Sequence, residues 1–148
     1  MTNPPNDDGP NMLGGLLTDL MNRVAGIRRV LLATGDGLKI AWSDQETAEA
    51  EKLAALMTGL LSLARGAFIT SPGGVRQVVV EHDAGTLFVM SAEGSAANPH
   101  LVGTLLSVMT TDSADPGEVG YEMKRLISAL DEHLTVQARQ MQPSGQGQ

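Results

Sequence analysis

The sequence contains no cysteine. It therefore has no disulfide framework, no thiolate nucleophile and no Cys-ligated zinc, an absence that fits the cytoplasm. Aromatic residues are scarce at 3%, with one Trp, one Tyr and two Phe. Leu, Val, Ile, Ala and eight Met must fill the core instead. Basic residues are outnumbered: 10 Lys+Arg face 17 Asp+Glu, a formal net charge of −7. Binding to nucleic acid or to an anionic membrane rests on a basic patch, so this balance argues against both. Polar residues interrupt every apolar run well short of a bilayer span. The stretch MTNPPNDDGPN lacks the basic start and apolar centre of a signal peptide. Thr2 stands where myristoylation needs glycine, and there is no Cys to prenylate. The expectation is a cytoplasmic chain with no direct membrane insertion.

Catalytic signatures are missing too. Gly35-Asp36-Gly37 is not part of a G-x-x-x-x-G-K-[ST] motif and precedes a strand rather than a phosphate-facing helix, so it reads as a plain turn. His82, His100 and His133, with Glu81 and Glu132 beside two of them, show no H-x-x-x-H or H-E-x-x-H spacing and fall on different elements. Ser62, Ser71, Ser91 and Ser107 lack the G-x-S-x-G surroundings of an activated serine. No enzyme, metal or cofactor is expected.

What is present is a strong apolar helix. Residues 47–68, TAEAEKLAALMTGLLSLARGAF, place Leu53, Leu56, Leu60, Leu63, Ala64 and Ala67 in one stripe, widened by Met57, Leu61 and Phe68. Steps of three and four residues put such positions on one helix face. The stripe is wider than a core helix needs, so the helix reads as a contact surface as well. Gly59 and Gly66 lie inside it, where each costs up to about 1 kcal/mol against Ala. They signal close packing either on the sheet or against a second helix. Ser43 and Glu46 match an S-x-x-E capping box at its start, and Glu46, Glu49 and Glu51 suit the positive end of the dipole.

The 148 residues allow one domain with tails. Residues 1–11 and 140–148, rich in Pro, Asn, Gly and Gln, read as disordered tails around a domain at 12–139. An amphipathic helix runs from Leu13 to a glycine end at Gly26. Strands follow at 27–34 and 38–42, the first with an unalternating apolar run, Val30-Leu31-Leu32-Ala33, that needs cover on both faces. After the long helix come a strand at 75–82, whose mixed faces suit a sheet edge, and its hairpin partner at 86–92. Residues 100–110 read mainly as a strand, with helix as the alternative. Asp115-Pro116-Gly117-Glu118 starts a last helix that reaches about Arg139. The order α-β-β-α-β-β-β-α gives an α/β (α+β) fold with a five-stranded, mainly antiparallel sheet flanked by helices.

Four motifs in this order resemble the roadblock (dynein light chain) family, and its actinobacterial branch in particular: VLLATGDGLKIAWS, LAALMTGLLSLARGA, VRQVVVEHDAGTLFVMSAEGS and DPGEVGYEMKRLISALDEHL. The resemblance covers about residues 13–138. One departure is SAANPHLVGTLL, where the family usually passes directly from a glycine turn into a strand. The resemblance implies one long helix on one sheet face and two on the other. It also implies a homodimer joined through that helix and an edge strand, carried here onto Leu53, Leu56, Met57, Gly59, Leu60, Leu63, Val75, Gln77 and Val79. The implied role is a non-enzymatic adaptor or regulator of a small Ras-like GTPase in a bacterial signalling system, alongside a sensor-kinase-like protein. Glu49, Lys52 and Arg65 are the candidate docking residues. Arg28, Arg29 and Arg65 invite a reading as arginine fingers, but strand-start and helix-end positions explain them, and the family generally acts by docking. The alternative reading is a small-ligand sensor module of a signalling complex.

Overall fold

An apolar run without alternation needs cover on both faces, and Val30, Leu31, Leu32 and Ala33 receive it: all four are buried. The computed structural model describes the backbone of residues 8–43, 46–92 and 103–141. Its elements are α1 (Asp8–Arg23), β1 (Ile27–Ala33), β2 (Lys39–Ser43), α2 (Thr47–Gly66), β3 (Gln77–His82), β4 (Gly85–Ala92), β5 (Thr104–Thr110) and α3 (Pro116–Met141). The expected order α-β-β-α-β-β-β-α holds. The strands form one sheet in the order β2-β1-β5-β4-β3, with every pairing antiparallel. β5 takes the middle, β1 lies inside beside it, and β2 and β3 are the edges.

Alternation along the strands divides the core into two layers. On one face Val30, Leu32, Phe88, Met90, Leu106 and Val108 meet α1 and α3 through Leu17, Leu20, Val24, Met123, Leu126 and Leu130. On the other, Leu31, Ala33, Val89 and Leu105 meet α2 through Ala50, Leu53, Ala54, Met57 and Leu61. One helix covers one face and two cover the other, as the resemblance implied.

Local chemistry sets the ends. Gly26 sits at φ +95°, and a Cβ there would lie 2.9 Å from Thr111 Oγ1; its carbonyl accepts from Thr111 N–H at 2.8 Å, joining the start of β1 to the end of β5. The β1–β2 turn is closed by Thr34 N–H donating to Leu38 carbonyl at 2.8 Å, and by a hydrogen bond from Thr34 Oγ1 to Asp36 Oδ1. Asp115 caps α3 as expected: its Oδ1 accepts from Gly117 N–H at 3.2 Å.

Several boundaries differ from the sequence reading. The capping box fails. Ser43 belongs to β2, where its hydroxyl accepts from Val30 N–H at 3.1 Å, and Glu46 occupies the N-cap position without a side-chain cap bond. α1 begins at Asp8, upstream of Leu13, so it reaches into the stretch read as tail, and α3 extends to Met141. α2 ends at Gly66 rather than Phe68 because the chain tightens into a turn, with Ala67 N–H donating to Ala64 carbonyl at 3.1 Å. β3 starts at Gln77, so Val75 precedes the strand. Residues 104–110 are a strand, not a helix, paired on both sides. Asn98, Pro99 and His100 lie outside the described residues, as do 1–7 and 142–148.

Candidate functional site

The long helix is apolar on two sides. Its inner side is core: Ala50, Ala54 and Met57 are fully buried, with Leu53 and Leu61 nearly so. Its outer side carries Leu56 and Leu63, which are 53% and 79% exposed. Successive helix residues turn by about 100°. Lys52, Leu56, Gly59 and Leu63 therefore line up along the outside, opposite Met57 and Leu61. Leu60 lies at the margin, partly buried against the sheet-side cluster. Leu53 and Met57, expected at a partner contact, are turned into the protomer instead; steps of three and four fit both sides of a helix that is apolar nearly all round. A Cβ at Gly59 or Gly66 would meet no heavy atom within 4 Å. Close packing on the sheet therefore does not explain either glycine.

The edge strand β3 adds a second surface. Its inner edge pairs with β4 from Gln77↔Met90 to His82↔Gly85, and it is last in the sheet, so among the described residues no strand lies beside its outer backbone groups. Such an edge is a template for further pairing. Gln77 is half-buried, while Val79, on the α1–α3 face, is 47% exposed. Val75, just before the strand, packs against the α2-side cluster.

Of the candidate docking residues, Glu49 and Lys52 are neighbours one turn apart on α2, and Arg65 is not brought to them. Glu49 pairs with Arg29 across α2 and β1 at 3.5 Å. Its neighbour Glu51 pairs with Lys39 of β2 at 3.0 Å, and that ammonium lies 5.3 Å from the Trp42 ring centre. Lys52 is exposed on the outer side. Arg65 lies thirteen residues on, roughly 20 Å at about 1.5 Å per residue, beside the turn that holds Phe68 and Ile69. Arg29, a finger candidate by residue type, is occupied by the Glu49 pair.

A cleft of about 420 Å³ opens at one corner of the sheet, over Val80, Leu87 and Met109, with Arg28, Arg29 and His82 at its margin. Sequence reasoning missed it, because it forms only where α2 leaves strand ends uncovered. His82 is exposed, and its Nδ1 accepts from Ala84 N–H at 2.9 Å, which fixes the hairpin. Among the described residues no group of three or more His, Cys, Asp or Glu side chains converges on a metal position. Ser62 and Ser71 are exposed. Ser107, under α2, is fully buried, and its hydroxyl has no hydrogen-bond partner among the described residues. Among the described residues no helix is long and apolar enough to cross a membrane.

The same helix-and-sheet arrangement occurs in known proteins. The family model of the Roadblock/LC7 domain matches residues 13–97. A Roadblock/LC7 domain from Streptomyces avermitilis, known as a crystal structure, is 37% identical, with 82% of this chain and 96% of that one aligned at a TM-score of 0.72. The gliding protein MglB from Thermus thermophilus is 18% identical and shares the fold, with 90% and 93% of the two chains aligned at a TM-score of 0.69. Myxococcus xanthus MglB does likewise at 17% identity, 82% and 94% coverage and a TM-score of 0.67. No curated protein matches the sequence.

Proposed function

The chain belongs to the Roadblock/LC7 family, and from that premise we propose that it is a non-enzymatic homodimeric adaptor that regulates a small Ras-like GTPase in a bacterial signalling system. One observation carries the reading: α2 is apolar on its outer side, where Leu56 and Leu63 stay largely exposed among the described residues. Burying a leucine stabilises by about 1.5–3 kcal/mol. Two leucines two helical turns apart, with an open glycine between them, favour a protein partner over bare solvent.

The edge of β3 supports the homodimer. A second β3, antiparallel to the first, extends the sheet through groups already aligned for it. The same step brings Val79 of each protomer close to its counterpart. Regulation of a GTPase rests on family membership, together with the lack of catalytic motifs in the sequence. A sensor-kinase-like component and a cytoplasmic location rest on the resemblance and on the charge and cysteine balance. Glu49 and Lys52 flank the outer stripe and form the proposed docking rim; Arg65 belongs to a separate end of the helix.

The test is capture of purified Ras-like GTPases from the same organism, loaded with GDP or a GTP analogue, on the immobilised chain. Retention in at least one nucleotide state is expected. Failure in both states would overturn the adaptor reading. The small-ligand alternative has the corner cleft as its best candidate site among the described residues. That cleft lies at the surface over an apolar floor, without the converging polar groups that fix a small ligand.

A further inference from the structure

Strand directions decide where the corner cleft lies. β3 runs from Gln77 to His82; His82 pairs with Gly85, and Thr86 pairs with Thr110. Val80, Leu87 and Met109 therefore sit toward the His82 end of the sheet, on the face that α2 only partly covers. The turn after α2 sits at the other end, because it leads into Gln77. That turn carries Phe68 and Ile69, which are 62% and 83% exposed. One protomer thus presents an apolar cleft and a pair of bare apolar side chains at opposite ends of a single edge strand, on one face of the sheet.

Antiparallel pairing of two copies of one edge strand needs a two-fold axis normal to the sheet. That operation keeps the face and exchanges the strand ends. It carries the partner's post-α2 turn to the His82 end of this protomer, and this protomer's turn to the partner's cleft. We infer that Phe68 and Ile69 of each protomer enter the other's cleft, against Val80, Leu87 and Met109, so that each cleft is completed only by the second copy. The inference rests on the homodimer proposed above and adds a reciprocal contact that neither the helix stripe nor the strand edge contains. It also accounts for two neighbouring large apolar side chains left bare on a turn, and for a cleft whose floor is apolar.

The absence of cysteine in the chain makes a clean test available. Ile69→Cys and Leu87→Cys are made separately, mixed in equal amounts and oxidised. A disulfide-linked dimer is expected in the mixture and not in either variant alone, because only the 69-to-87 approach is short. In parallel, Phe68→Asp is expected to weaken the dimer at least tenfold in a light-scattering dilution series, with the circular dichroism of the folded chain kept. A chain that is dimeric by light scattering, gives no mixed disulfide and is unmoved by Phe68→Asp overturns this contact and leaves the dimer standing, with the cleft open to another occupant. A wild-type chain that is monomeric at every concentration overturns the dimer reading itself.

Discussion

Single residues in this fold differ in whether the protomer buries them, as it does Met57, or leaves them exposed, as it does Leu56 and Leu63. Met57 is fully buried between α2 and the sheet. Met57→Ala should cost about 2–5 kcal/mol, as cavities in packed cores do, seen as an earlier midpoint in urea unfolding. Ser107 is the opposite case. Its buried hydroxyl lacks a partner among the described residues, and an unmet polar group in a core costs about 1–3 kcal/mol. Ser107→Ala is therefore expected to leave stability unchanged or raise it by about 1 kcal/mol in the same measurement. Gly59 splits the two roles. With open space around it, Gly59→Ala should raise helix stability by up to about 1 kcal/mol in the dilute protomer, while a Cβ at the proposed helix contact should weaken self-association. Opposite signs from one methyl group would locate Gly59 on a partner surface. None of this was legible from residue type: Ser107 reads like any strand serine, and its isolation appears only once α2 lies over β5.

At the scale of elements, α2 is the informative case. Leu56→Asp and Leu63→Asp place a carboxylate on the outer side, where the protomer leaves it in water. The fold should survive, and the dimer should dissociate by light scattering, since a buried unpaired charge costs several kcal/mol. Leu60→Asp should damage both, because Leu60 also packs toward the sheet. Near the start of α3, Asp115→Ala should cost about 1 kcal/mol through loss of the cap, checked by thermal unfolding. The helix itself, its length and its excess of apolar surface were legible in the sequence, but its two sides were not. Leu53 and Leu56 are three residues apart, yet one is core and the other is bare. When leucine and alanine occupy nearly every position, periodicity loses its phase. β5 was ambiguous for a related reason: Leu105, Leu106, Ser107 and Val108 are all buried, so a middle strand shows no alternation to read. The capping box misled because Ser43 and Glu46 have the right spacing, but the Ser43 hydroxyl is taken by the backbone of β1.

At the scale of the whole molecule, two edges of the sheet are treated differently. β2 is irregular: the register shifts at Leu32/Ala33, as a bulge does, and Lys39 lies on it, two features that protect an edge from stray pairing. β3 pairs regularly from end to end and carries exposed Val79 and Val80. The proposed assembly through β3 and the outer side of α2 would use the surfaces left unprotected. It would bring two copies of the acidic chain together through apolar groups, while the ion pairs Arg29–Glu49 and Lys39–Glu51 join α2 to its own sheet. The most direct measurement is the light-scattering mass of the purified chain, eluted alone and after mixing with a Ras-like GTPase of the same organism in GDP and GTP-analogue forms. The expected result is about twice the 15.5 kDa chain mass alone, and a heavier species holding both proteins in at least one nucleotide state. A monomer that elutes apart from the GTPase in both states would contradict the proposed role.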